Sequence, residues 1–220
     1  MMPDLTATLT EEELQCVMDK MSVRTFHKNE LIYCEGEMPS QFMCLLSGKV
    51  KIYKDGVGGR SQIVRVVRSV DYFSYRAAFC NERFVTAAAA FENSVIACIP
   101  IPLIKALIMR NTQLAWFFVQ KLAMALGKSD ERTVNLTQKH IRGRLAESIL
   151  FLKEHYGMEE DGRTLNIHLS REDMASLSNM TTSNAIRHLS TFASEKLIAL
   201  DGRKIMILNE PELQKISKFG

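Results

Sequence analysis

The chain has 220 residues, 46% hydrophobic and 24% charged, and its formal net charge is +3. That length admits two ordinary domains with real cores, and no run of about 18 apolar residues is present to span a membrane. The charge divides into 16 basic and 14 acidic residues before Lys139, and 12 and 11 from there on. Neither part has an overall basic signature, so charge count alone does not point to nucleic acid. Met1-Met2-Pro3-Asp4 lacks the basic and apolar stretches of a secretory signal. Cys16, Cys34, Cys44, Cys80 and Cys98 are odd in number and widely spaced, which predicts reduced thiols in a cytoplasmic protein.

The first 25 residues read as helical, with Thr10 before Glu11-Glu12-Glu13 as the cap. From Glu30 the period changes. Short β-rich runs follow at Glu30–Cys34, Phe42–Leu46, Lys49–Lys54, Gln62–Arg68, Val85–Phe91 and Val95–Ile99. Turn signals separate them at Glu35-Gly36, Ser47-Gly48, Asp55-Gly56-Val57-Gly58-Gly59 and Glu92-Asn93. Many short strands at close spacing predict a sandwich or barrel, closed by Pro100 and Pro102. From Leu103 to about Leu136 the pattern is helical. Ala115, Val119, Leu122, Leu126, Ser129, Thr133 and Leu136 repeat at alternating spacings of four and three, a period that suits a parallel helix pair. The competing reading is one long helix buried within its own monomer.

A second block starts at His140. Ile141–His155 is an amphipathic helix ended by Gly157, followed by a polar linker and a short strand at Leu165–Leu169. Ser170 then caps a helix whose third residue is Asp173, with Met174, Ala175 and Leu177 on its apolar face. Asn179 sits where a tight turn needs left-handed backbone. Thr181 caps a second helix with Ala185, Leu189 and Phe192 inward. Two short helices so joined form a helix-turn-helix, whose second helix enters the major groove. Asp201-Gly202 between Leu197–Leu200 and Ile205–Leu208 predicts a hairpin wing, with Arg203 and Lys204 near its tip.

Taken with Leu31–Gly36, Leu45–Val50 and Ile141–Ala146, this helix-turn-helix identifies the resemblance: the chain resembles the Crp/Fnr superfamily, the catabolite activator and fumarate-nitrate regulator type, over nearly its whole length. The resemblance implies an α+β fold. A cyclic-nucleotide-binding-like β-barrel (double-stranded β-helix or jelly roll) would occupy 1–110, a dimerisation helix 111–138, and a winged helix-turn-helix DNA-binding domain 139–220. It implies a cytoplasmic transcription regulator that binds a near-palindromic double-stranded DNA operator as a homodimer, contacts RNA polymerase, and is neither an enzyme nor a membrane protein. On the matched positions, Thr182, Ser183 and Arg187 would meet bases, with Arg187 suited to guanine. Ser170, Arg171 and Thr181 would meet phosphate and set register, and Arg203 or Lys204 would reach phosphate from the wing.

At the sensor the pattern breaks. Cyclic-nucleotide members hold their ligand through a Gly-Glu pair and an Arg-Ser/Thr pair. Here Ser74-Tyr75 and Val85-Thr86 stand at those places, so only the hydroxyl remains. The expectation is that Tyr75 takes up ribose space, that Val85 offers a phosphate only apolar surface, and that cyclic AMP is disfavoured. Arg76 and Arg83 lie near enough to substitute, and Ser129 and Asp130 of the long helix complete the candidate effector pocket. A different small molecule, a haem or redox signal, and no effector at all stay open. Scattered cysteines do not suit an iron–sulfur cluster, and no metal is expected. A metal-dependent barrel enzyme would need several histidines, and only His27 precedes residue 140. The other rival, a ligand-binding barrel regulator without DNA activity, leaves the helix-turn-helix and wing unexplained.

Overall fold

The structure is a computed structural model describing residues 2–56 and 59–219. Val57 and Gly58, in the expected glycine-rich turn, lie outside the described residues. The chain divides into two compact units, Met1–Gly56 with Ile63–Lys128, and Val57–Gln62 with Ser129–Gly220.

The first unit opens with helices α1 (Pro3–Thr6) and α2 (Glu11–Lys20). Thr10 and Glu13 form a reciprocal capping box at the start of α2. The expected helix does not reach residue 25. It stops at Lys20, and β1 (Ser22–Phe26) pairs antiparallel with β8 (Ser94–Pro100). Only Phe26 of β1 is buried, so an edge strand held by main-chain bonds left little apolar pattern to read.

Two four-stranded sheets make the barrel. One has the order β1-β8-β3-β6, with β3 at Gln41–Ser47 and β6 at Tyr72–Phe73; the other has β2-β7-β4-β5, at Leu31–Tyr33, Ala87–Ala90, Val50–Asp55 and Ser61–Val67. Gly48 joins β3 to β4 with φ +92°, and a Cβ there would come within 2.4 Å of Ser94 Oγ. Glycine is required at that crossing.

The central strands of the first sheet, β3 and β8, are buried on both faces. Met43, Leu45, Ile96 and Cys98 point into the barrel with Phe26, Tyr33, Phe73 and Phe84. Phe42, Cys44, Ala97 and Ile99 point the other way, against Leu114, Phe117 and Phe118 of α5 (Thr112–Gln138). This explains why Phe42–Leu45 reads as a continuous apolar run. The expected single helix from Leu103 is two: α4 (Ile101–Ile108) ends, and Asn111 caps α5 by accepting from the Leu114 amide at 2.9 Å. Apolar residues continue through the break, which hid it. Short helix α3 (Tyr75–Phe79) follows β6.

The second unit holds α6 (Ile141–Tyr156), α7 (Arg171–Leu177), α8 (Thr182–Ser194), the hairpin β9–β10 (Ile198–Asp201 and Lys204–Ile207) and α9 (Glu210–Phe219). The expected strand Leu165–Leu169 keeps its alternation, with Leu165, Ile167 and Leu169 buried, but forms no ladder. Leu165 donates to the Ile205 carbonyl at 2.9 Å, and only isolated bridges flank it. Helix α9 was not anticipated. Its signal was Asn209 before Glu210-Pro211, and Asn209 Oδ1 accepts from the Glu212 amide. Among the described residues no helix is long and apolar enough to cross a membrane.

Candidate nucleic-acid interface and effector barrel

In the second unit, two caps and one arginine set the geometry of α7 and α8. Ser170 Oγ accepts from the Asp173 amide at 3.0 Å and donates to the Asp173 carboxylate at 2.7 Å. Thr181 Oγ1 accepts from the Asn184 amide at 3.3 Å. Between them Asn179 has φ +50°, the left-handed conformation that asparagine tolerates. From α6, Arg144 donates to the carbonyls of Ser178, Asn179 and Lys139 at 3.1, 3.1 and 2.9 Å. Ser178 Oγ donates to Ser148 Oγ at 2.9 Å. The turn is thus tied to α6 and to the chain just before it. Sequence reasoning missed Arg144 as the fastener, because nothing local shows which carbonyls it will meet.

With Ala185, Leu189 and Phe192 fully buried, α8 turns Ser183 and Arg187 outward, while Thr182 is half-buried. The Arg187 guanidinium donates to Asn184 Oδ1 at 2.9 Å. In the wing, Gly202 has φ +55° at the first central position, and Arg203 is exposed at the tip. Arg171 donates to the Gly202 carbonyl at 2.9 Å, bracing the wing against the start of α7. Lys204 is already paired, its Nζ 3.2 Å from Glu159 Oε2, and His168 Nε2 lies 2.7 Å from the other Glu159 oxygen. Hydrogen bonds from His168 and then Lys204 hold the Glu159 carboxyl below its usual value.

Along α5, Leu122 packs against the barrel-side core, whereas Leu126 is 64% exposed and Val119 is also exposed. Ala115 and Leu136 are half-buried, and Ser129, Thr133 and Asp130 are exposed. Trp116, outside the expected repeat, is 61% exposed. The exposed apolar row therefore runs through Trp116, Val119, Ala123 and Leu126, which includes Val119 and Leu126 of the expected repeat.

The expectation for Tyr75 put its ring towards the barrel interior, and the ring lies elsewhere. It packs on the helix side of the first sheet, against Phe42, Phe79 and Phe118 at 6.0, 5.8 and 5.7 Å between ring centres. The interior is filled instead by Tyr33 and Phe84, stacked at 3.9 Å. Ser74 (φ +74°) donates to the Gln41 carbonyl at 2.7 Å. Arg76 and Arg83 turn outward, to Glu82 at 3.2 Å and to the Gly36 carbonyl at 2.8 Å. Val85 is exposed, and Thr86 hydrogen-bonds Tyr33.

The cation at this place is Arg65, which donates to the Tyr72 carbonyl at 2.9 Å and hydrogen-bonds Tyr75. Its signal was available in β5: alternation puts Arg65 on the side of buried Ile63 and Val67.

His27, the candidate haem ligand, is exposed. Cys44 and Cys98 lie on opposite faces of one sheet, since Cys44 faces Ala97 across the register and Cys98 faces Met43. Burial pushes the Cys44 thiol up to about 12. Among the described residues no group of three or more His, Cys, Asp or Glu is placed to hold a metal.

The model of the cyclic nucleotide-binding domain matches residues 23–111, and that of the Crp-like helix-turn-helix domain matches residues 143–216. The CRP-like cAMP-activated global transcriptional regulator of Mycobacterium tuberculosis is 22% identical over 191 residues, covering 86% of this chain and 85% of that protein. Among solved structures, FixK2 from Bradyrhizobium japonicum superposes with a TM-score of 0.80 at 20% identity, over 89% of this chain and 96% of that one. A CRP/FNR-family transcriptional regulator from Thermus thermophilus gives 0.76 at 19% identity, over 90% and 98%. With both domain models matched in order along one chain, and the folds that they describe present in it, the chain belongs to the Crp/Fnr family of DNA-binding transcription regulators.

Proposed function

We propose that the chain acts in the cytoplasm as a homodimer that sets two α8 helices into the major groove of a near-palindromic operator and contacts RNA polymerase. The observation that carries this reading is the exposure of Ser183 and Arg187 in the N-terminal half of α8, capped by Thr181, on a turn fastened by Arg144. Arg187 bonds a guanine. Thr182 and Ser183 touch base edges, while Ser170, Arg171, Thr181 and Arg203 set register on phosphates. Lys204 joins them by exchanging Glu159 for a phosphate. The exposed row on α5 supports the dimer, and the working division is sensor 1–110, helix 111–138 and DNA-binding domain 139–220.

The test is enrichment of duplexes from a random library, followed by titration. A near-palindrome bound by two copies is expected. Arg187→Ala should cost about 1–3 kcal/mol and relax preference at one position per half-site. A uniform loss across sequences would remove Arg187 from base reading.

For the barrel we infer a small-molecule effector held by other contacts than those of cyclic-nucleotide members. The mycobacterial relative is named for activation by cAMP; here the acidic and arginine positions are Tyr75 and Val85. The polar groups gathered at this place are Arg65, Tyr33 and Thr86, a set that suits an anionic ligand. A haem or redox signal has weaker support, with His27 exposed and the buried cysteines on opposite faces. Calorimetric titration with cyclic AMP and cyclic GMP is expected to give dissociation constants beyond about 1 mM. A value of about 10 µM or tighter, with operator binding strengthened, would reverse this reading.

A further inference from the structure

The outward side of α8 carries Ser183, Ile186, Arg187, Ser190 and Ser194. Its polar groups are largely engaged within the helix. Thr181 Oγ1 and Ser183 Oγ lie 3.2 Å apart, and Arg187 donates to Asn184 at 2.9 Å. Thr191 Oγ1 donates to the Arg187 carbonyl at 3.0 Å, and Ser194 Oγ donates to the Thr191 carbonyl at 2.8 Å. Ile186 stands apart from them. It is 48% exposed, one turn beyond Thr182 and one turn before Ser190. A β-branched residue at an exposed helix position gives up χ1 freedom and gains little burial in return. Folding of this unit therefore does not account for it. Single surface isoleucines are ordinary; what distinguishes this one is its place beside Arg187 on the outward side of the helix. The major groove offers one apolar feature, the C5 methyl of thymine.

We propose that Ile186 is a specificity-determining residue that packs against a thymine methyl in each half-site. The inference rests on α8 being the recognition helix. Since Ile186 and Arg187 are adjacent, the thymine lies within about two base pairs of the guanine that Arg187 bonds. The operator preference is then a joint one, a polar contact to guanine and an apolar contact to thymine. Thr182 and Ser183 are too short to add a bidentate pair.

Full-length protein is used to enrich duplexes from a random library, and each thymine of the enriched half-site is then replaced singly by deoxyuridine, which removes only the methyl. The native chain is expected to lose about three- to fivefold in affinity at one thymine, the effect of one methyl taken from apolar contact. Ile186→Ala is expected to show no loss at that thymine while keeping its guanine preference, and Ile186→Val to keep part of the penalty. Equal deoxyuridine penalties in the native chain and Ile186→Ala overturn the inference, as does a half-site where no thymine responds. Failure to enrich any duplex overturns the recognition-helix reading and this inference with it. That outcome is distinguished by absent binding rather than by an unaltered thymine profile.

Discussion

Arg144 in the second unit and Arg65 in the first are both half-buried, and both donate to backbone carbonyls. Arg144 meets three, at Lys139, Ser178 and Asn179, and so spends its guanidinium on holding a turn in place. Arg65 meets one carbonyl, that of Tyr72, and otherwise keeps company with hydroxyl groups. The same contrast recurs along α5, where Leu122 is packed into the core and Leu126 is not, and on α8, where the Thr191 and Ser194 hydroxyls are engaged and the Ile186 side chain is exposed. Side chains satisfied inside the monomer hold the fold. Those left over are where a partner, a ligand or a base pair is to be sought.

The largest effect is expected on α5. Leu126→Glu places a charge at the proposed dimer seam without a counter-charge, and should weaken association by about 3–5 kcal/mol while leaving thermal unfolding of the barrel unchanged. Leu122→Glu should lower barrel stability as well. Sedimentation combined with thermal unfolding separates the two variants, and a Leu126→Glu protein that remains fully dimeric would remove the exposed row as interface.

Next in size is the pair of arginines. Arg144→Ala should destabilise the second unit by about 2–4 kcal/mol, since carbonyls at the turn lose charge-assisted donors. Arg144→Lys should recover less than half of that, an ammonium being unable to span the three carbonyls. Arg65→Ala should cost only about 1 kcal/mol. Denaturant titration decides the matter, and equal losses for the two would break the distinction drawn between them.

A smaller effect belongs to the wing. Lys204→Ala should lower the slope of log affinity against log salt by about one unit and weaken all DNA sequences alike. Glu159→Gln, which releases Lys204 from its partner, should instead tighten binding to all duplexes by about two- to threefold. If Glu159→Gln left affinity unaltered, Lys204 would not be exchanging one anion for another.

The smallest effect is pH-dependent. Burial first, then Arg187 and Arg142, hold the His188 imidazole below its usual value. The unfolded chain therefore takes up this proton first. The contribution of neutral His188 is complete above about pH 7 and is lost as the pH falls through about 6.5 towards the lower folded value. His188→Gln should flatten stability against pH over that interval, and an unaltered slope would show that the site does not titrate there.

By itself the sequence determined what short-range chemistry decides. Ser170, Asn179, Thr181 and Gly202 each act on backbone within a few residues, so both helices of the motif, their turn and the wing were legible. Short β-rich runs between turn signals likewise located β2, β3, β4, β5, β7 and β8 to within a few residues. Tertiary structure decided what depends on distant partners. The apolar run Phe42–Leu45 could not say which residues face the barrel and which the helices, because both faces are buried. For the same reason Tyr75, placed in the effector pocket by alignment, belongs to the helix-side core. Strand β1, the break between α4 and α5 and the carbonyls met by Arg144 and Arg65 were hidden too. Each depends on contacts between segments far apart in the chain, where local propensity is silent and packing chooses the partner.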